Sequence, residues 1–373
     1  MFFIVASFVM LFMALFSVRT LFTRAKYIRY GLLLFLMMYI AVGARVAIAM
    51  IGHNELFILL AWVGYVSIGV VSMLFCAAVV KLVFNTTGYF LTKTTDKFSP
   101  SRRQFLSNSL GTGMSLAVLP MAGYGIYRAV GKPIIKKVNL TNPNIHEGLK
   151  GLRIAQLTDI HVGPTIGAEK VEQIVGMTNE LNPDIVLITG DLVDGSAKYI
   201  SDYILPLKDL KSTYGTFFVT GNHEYYSGAK AWIKAIESLG IIVLNNTNRI
   251  LKHKGAGLMV AGVPDIHADR FGFETHKPAK AKHTNEHYDY SIIMSHRPEV
   301  ADEIAEHGFD LQLSGHTHGG QYFPWTFVIY AFQRYVRGLY KIGDMKLYVS
   351  QGTAYWGPPM RIGAESEITL LTL

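Results

Sequence analysis

Asp159, His161, Asp191, Asn222, His223, His296, His316 and His318 are the residues of this chain whose types and positions could do chemistry. Each follows the end of a short apolar run, in the segments Thr158-Asp159-Ile160-His161, Gly190-Asp191, Gly221-Asn222-His223-Glu224, Ser295-His296 and Gly315-His316-Thr317-His318. Singly they say little, because an Asp after a strand is also a good helix N-cap. As a set they are carboxylate, imidazole and amide oxygen, the mixed ligands that Zn, Mn and Fe accept. A carboxylate shared by two ions would hold them about 3.5 to 4 Å apart, the arrangement of two-metal hydrolysis. Such a pair neutralises an anionic phosphate ester and lowers the pKa of a bound water to about 7. His223, if protonated near neutral pH, can give a proton to a leaving-group oxygen or stabilise the equatorial charge.

The runs that carry these groups predict their scaffold. Strands are expected at 152–158, 184–189, 216–220, 258–263, 291–294, 311–313, 347–350 and 368–373, and helices at 170–181, 198–211 and 229–239. Strands alternating with helices imply an α/β domain with right-handed crossovers. In such sheets the loops after the carboxyl ends of strands share one crevice.

The rest of the chain is a different material. Residues 1–127 hold ten basic and two acidic residues, so the net charge of +8 on 373 residues lies entirely there. A nucleic-acid binder needs its positive excess on the folded domain, and this pattern excludes one. The single cysteine, Cys76, rules out a disulfide framework or thiolate metal site.

Four segments are candidate membrane spans: 1–18, 30–51, 56–80 and the weaker, glycine-rich 110–127. Eighteen apolar residues reach roughly 27 Å as a helix, close to the hydrocarbon thickness. Only Gly52 to Glu55 separates the second and third, which makes them a hairpin. Basic residues in 19–29 and 81–103 place those segments in the cytoplasm, so everything after residue 127 lies outside, on the periplasmic or extracytoplasmic face. Arg45, within the second segment, is near enough to its end to snorkel. Residues 1–127 are thus expected as a membrane domain, 128–150 as a linker and 151–373 as the catalytic domain.

Taken in order, the five ligand segments resemble the signature blocks of the calcineurin-like metallophosphoesterases, over roughly residues 150–373. The resemblance implies an αββα sandwich beside the helical transmembrane bundle. It assigns Asp159, His161 and His318 to one divalent ion (Mn, Zn or Fe), Asn222, His296 and His316 to a second, and Asp191 to both. It makes His223 the histidine beside the scissile phosphate. The ending around Gln351-Gly352-Thr353 and Trp356-Gly357-Pro358-Pro359 is similar to a membrane-anchored or exported bacterial subgroup, some of whose members resemble hydrolases of a lipid-linked sugar nucleotide. The expected substrate is therefore a phosphodiester or pyrophosphate, lipid-linked or nucleotide-linked, at the plasma or inner membrane. A phosphatase for small soluble phosphates and a non-enzymatic metal-stabilised sensor or scaffold are the alternatives.

Three further segments carry open readings. Ser101 to Leu106, with Arg102 and Arg103, resembles a twin-arginine export signal, and reads equally as a basic flank of the fourth span. The aromatic stretch Tyr322 to Tyr340 is either an interfacial flap or a helix packed on a sheet. Arg361 either clamps a phosphate or fixes its loop.

Overall fold

A computed structural model of the protein describes residues 2–22, 28–51, 54–94, 100–140 and 145–373. The chain divides into two compact units, Met1–Tyr127 with Gly357–Met360, and Arg128–Trp356 with Arg361–Leu373.

Long apolar runs make the first unit helical: α1 (Phe2–Phe22), α2 (Ile28–Ile51), α3 (Glu55–Thr94) and α4 (Pro100–Val130). Ala14, Met38 and Val71 bring α1, α2 and α3 together, and Ala44, Ala61 and Tyr65 form a second contact of α2 with α3. Large apolar side chains such as Phe8, Leu36 and Leu59 point outward, as on a helix apolar all round. The buried Lys81 of α3 donates from Nζ to the carbonyl of Leu21 at 2.9 Å, satisfying a terminal acceptor of α1. Gly111 of α4 makes the room, since a Cβ there would fall 2.8 Å from that Nζ.

Helices occupy all four predicted segments. Among the described residues one stretch, Glu55–Phe90, is long and apolar enough to cross a membrane, and Ser7–Phe22 and Ile28–Ala44 are shorter apolar stretches. The basic segment expected from Lys81 starts inside α3, which runs on to Thr94. Gly52 and His53 of the hairpin turn, residues 23–27 and the side chain of Arg45 lie outside the described residues.

Among its described residues the second unit holds twelve strands: β1 (Ile134–Asn139), β2 (Arg153–Leu157), β3 (Ile185–Thr189), β4 (Thr216–Val219), β5 (Ile242–Val243), β6 (Thr247–His253), β7 (Ala256–Gly262), β8 (Tyr290–Met294), β9 (Leu311–Ser314), β10 (Gly338–Ile342), β11 (Met345–Val349) and β12 (Glu367–Thr372). They form two six-stranded sheets, in the orders β1-β12-β2-β3-β4-β5 and β10-β11-β9-β8-β7-β6. Strands β2 to β5 run parallel, as do β7, β8, β9 and β11.

Period-two alternation in these strands creates three apolar layers. Ile154, Ile185, Leu187 and Phe217 of the first sheet meet Leu258, Val260, Ile292 and Leu313 of the second. The alternate residues Val186, Ile188 and Phe218 face Ile174, Trp232 and Ile236 on the outer helices. Met259, Ala261 and Ile293 pack likewise on Ala301 and Ile304. The result is the expected αββα sandwich.

Local differences have local causes. The helix predicted at 198–211 is one α-turn, Ala197–Ile200, followed by 3₁₀ structure at Ser201–Asp209 that contains Pro206, which has no N–H to give an α ladder. Strand β1 falls inside 128–150, read from sequence as a linker, and pairs with the C-terminal β12.

Candidate metal centre

The carboxyl ends of β2, β3 and β4 in one sheet and of β8 and β9 in the other deliver all eight candidate residues to one crevice. The backbone is strained where it does so. Asp159, His161, Asp191, His316 and His318 all have left-handed φ, between 50° and 71°, a region rare for residues with a Cβ although Asp and His enter it more readily than most. Such conformations cost about 1 to 3 kcal/mol each and persist where surrounding structure imposes them.

Glycines let the loops pass the carboxylates. A Cβ at Gly221 would collide with Asp191 Oδ1, and one at Gly315 with Asp159 Oδ2. The amide of His316 instead donates to Asp159 Oδ2 at 3.0 Å, and the amide of His223 to Asp191 Oδ1 at 2.8 Å.

Two donor groups result. In the first, His161 Nε2 and His318 Nε2 are 3.1 Å apart, and Asp159 Oδ1 lies 3.3 Å from His318 Nε2. In the second, His296 Nε2 is 3.1 Å from Asp191 Oδ2 and 3.2 Å from His316 Nδ1. Asp191 Oδ2 is also 3.8 Å from His161 Nε2, so this carboxylate stands between the groups. The ligand atoms within each histidine-carboxylate group all lie within 4.8 Å of one another. His296 Nδ1 donates to the Thr189 carbonyl at 2.9 Å, which leaves its Nε2 free as a donor to an ion.

The residues fit a pair of divalent ions. Asn222 Oδ1 is buried with no hydrogen-bond partner among the described residues, and an unmet buried acceptor costs about 1 to 3 kcal/mol. Two ring nitrogens turned toward one carboxylate oxygen are likewise an arrangement that a cation completes.

Electrostatics follow from burial and crowding. Burial opposes the charge on Asp159 and Asp191, yet the surrounding histidines hold both carboxyls well below the usual range. Burial opposes charge on His296 too, and Asp191 reverses this, lifting it to about 10. His318 is pushed down to about 4, by burial and by Arg361. His316 is pushed well below the usual range by burial, His296 and Arg297.

His223 belongs to neither group but lies beside them, in a third cluster with Asp194 and His161 whose ligand atoms are also within 4.8 Å of one another. Its Nδ1 is 3.2 Å from Asp194 Oδ1, and its ring meets those of His161 and Trp356 edge-on at 4.7 and 5.5 Å. Burial disfavours its charge, but Asp191 and Asp194 overcome that and raise it to about 9.

Four contributors were not singled out from sequence. Asp194 orients His223, and its signal was a second carboxylate three positions after Asp191. Glu224 gathers the amides of Gly221, Asp191, Leu192 and Val193 at 2.6 to 3.2 Å. Arg297 bonds Asp265 at 2.7 Å and reaches to 3.0 Å from His316 Nε2. Trp356 forms a half-open wall beside His223. Arg361 is fully buried and donates to the carbonyls of His318 and Ala354, which fixes its loop.

Residues 152–320 match the family described as calcineurin-like phosphoesterase. An uncharacterized metallophosphoesterase of Helicobacter pylori strain J99 is 38% identical over 301 residues, 79% of each chain. The chain belongs to the calcineurin-like metallophosphoesterases. A relative from a second Helicobacter pylori strain is 36% identical over 342 residues, covering 91% of this metallophosphoesterase and 88% of its own length. A Danio rerio protein named as a transmembrane protein with a metallophosphoesterase domain is 36% identical over 262 residues, 68% of this chain and 60% of the relative. The metallophosphoesterase is accordingly a metal-dependent hydrolase of phosphate esters, in a family that works with divalent metal pairs.

Proposed function

We propose that this metallophosphoesterase hydrolyses a phosphodiester or pyrophosphate of a lipid-linked or nucleotide-linked substrate at a membrane, using two ions. Asp159, His161 and His318 would hold the first, Asn222, His296 and His316 the second, and Asp191 both. The observation that carries this reading is the position of Asp191 Oδ2, 3.1 Å from one group's His296 and 3.8 Å from the other group's His161. When bound, the pair supplies Lewis acidity to the phosphoryl oxygens and an acidified water.

The chain's residues do the rest. Asp194 accepts from His223 Nδ1, which turns Nε2 toward the crevice and keeps the ring charged. From Nε2, His223 gives its proton to the departing ester oxygen, the role its position beside both groups supports. Trp356 narrows the approach on that side.

Membrane association is supported by Glu55–Phe90 and by the vertebrate relatives' name. The proposed organisation is a membrane domain of about four spans over residues 1–127, with the catalytic domain from residue 151 on the outer face.

The test is turnover of bis(p-nitrophenyl) phosphate and of p-nitrophenyl phosphate by the full-length protein with Mn, Zn or Fe. Faster hydrolysis of the diester supports the reading. Preference for the monoester would make the enzyme a phosphatase, and no turnover with any metal would leave a sensor or scaffold.

A further inference from the structure

The segment after the last metal-site loop is an aromatic excursion pinned to that site at both ends. At its entry, Gln321 exchanges hydrogen bonds with the backbone of Trp356, at 2.9 Å each way, and the amide of Phe323 donates to the Ile362 carbonyl at 3.0 Å. At its exit, Thr317 Oγ1, between the two histidines of β9's loop, donates to the Val336 carbonyl at 2.6 Å. Between these anchors run a short helix, Trp325–Val328, and a 3₁₀ turn, Ile329–Ala331. They do not pack as a helix on a sheet. Thr326 turns inward, while Phe323, Trp325, Phe327, Tyr330 and Phe332 face out, Phe327 at 71% and Phe332 at 79% exposure.

Clustered exposed aromatics mark an interaction surface. We infer that this surface docks on a lipid bilayer, seating the mouth of the metal centre at the headgroup layer. Two observations choose a bilayer. Trp and Tyr mixed with Phe is the composition of a membrane-water interface, where a ring buries its face and keeps its polar edge wet. The flank is also basic: Arg334, Arg337, Lys341 and Lys346 stand against Asp344 alone between Gln321 and Lys346, in a unit whose formal charges sum to zero. That sign complements anionic headgroups. Arg334 shares its charge with Asp302 at 3.0 Å and Arg337 bonds Gln351, while Lys341 is exposed. A second copy on the same patch would oppose these basic flanks to each other, and like-charge contact disfavours such a pairing. The inference rests on the reading that the chain is membrane-bound, and it deepens that reading by giving the active-site mouth direct access to a headgroup-borne phosphate.

The test uses the full-length protein in a Cys76→Ser background, with Phe327→Cys or Glu237→Cys carrying a bimane label. It is reconstituted into vesicles of mixed phosphatidylcholine and phosphatidylglycerol that include brominated lipid. Flotation reports membrane association and is independent of the patch. The expected result is flotation of both proteins with bimane emission lost at 327 and kept at 237. Flotation with equal emission at the two positions overturns the docking and leaves the membrane reading intact. Failure to float overturns both. Protection of the 327 label from aqueous iodide without quenching by brominated lipid assigns the patch to a protein partner and also overturns the inference. In parallel, Phe327→Ser with Phe332→Ser should leave soluble diester hydrolysis unchanged and lower hydrolysis of a vesicle-embedded diester at least about tenfold, because two rings' apolar area is withdrawn from the bilayer. Equal loss on both substrates would point to a damaged site and count against docking. Absence of soluble diester hydrolysis in the unsubstituted protein would sink the phosphodiesterase reading and not the quenching result.

Discussion

Chemistry at the residue scale turns on separating the groups that hold charge in place from the one that moves a proton. His223 has its ring locked by Asp194 and is absent from both donor groups, so His223→Ala should retain the metals and lose about 10²- to 10⁴-fold in kcat; metal content and turnover measured on one preparation decide it, and unchanged kcat ends the assignment. Asp194→Asn should lower kcat with metal content and KM nearly unchanged, because its carboxylate holds the ring of the proton donor at 3.2 Å, and a matching rise in KM would mean that Asp194 binds substrate. Asp191→Asn should instead empty both ion positions, since one carboxylate serves two groups, and two ions retained by metal analysis would contradict it. The candidate ligands were legible in sequence because each follows an apolar run with a group no core tolerates unpaired. Asp194 and Glu224 were not, because a carboxylate in a loop after a strand has an ordinary reading as a cap, and only the folded loop shows which amide or ring it serves.

Among elements, the strand interiors were readable and the edges were not. Val186, Leu187 and Ile188 announce a buried strand on both faces, whereas β6 carries Arg249 and Lys252 and β10 alternates half-exposed residues, with too little apolar density to stand out. The loops between elements depend on backbone conformations that composition does not disclose: five candidate ligand residues sit at positive φ. Glu224 is the clamp that keeps one such loop in register, because its carboxylate joins the end of β3 to the helix Asn222–Ser227 through four amides. Burial and Asp191 raise it to about 7, so the carboxylate is held at a cost that those amides offset. Glu224→Ala would orphan buried donors and should cost about 3 to 5 kcal/mol. For a unit of this size that is roughly 6 to 20 °C in Tm, measurable by thermal unfolding in detergent; an unchanged Tm would show that the loop needs no clamp.

The charge asymmetry belongs to the whole molecule. The net +8 lies in residues 1–127, and the remainder, formally neutral, is equipped to meet an anionic substrate through divalent ions that the formal charge does not count. Positive residues flanking apolar helices set topology by resisting translocation, so Arg102 and Arg103 at the start of α4 bear on which side the catalytic unit occupies. Both lie on the helix Pro100–Val130, and Arg103 is stacked 5.8 Å over the ring of Tyr89 in α3. A topogenic flank needs only charge, whereas a twin-arginine signal needs the arginines themselves. In a Cys76→Ser, Glu237→Cys background with both arginines in place, a membrane-impermeant thiol reagent applied to intact cells should label position 237 from outside. Replacing both arginines by lysine should leave that labelling intact, and replacing both by glutamine should reduce it. Loss with lysine would transfer export to the twin-arginine machinery, and labelling of position 237 only after permeabilisation, with both arginines in place, would put the catalytic unit in the cytoplasm and reverse the proposed topology.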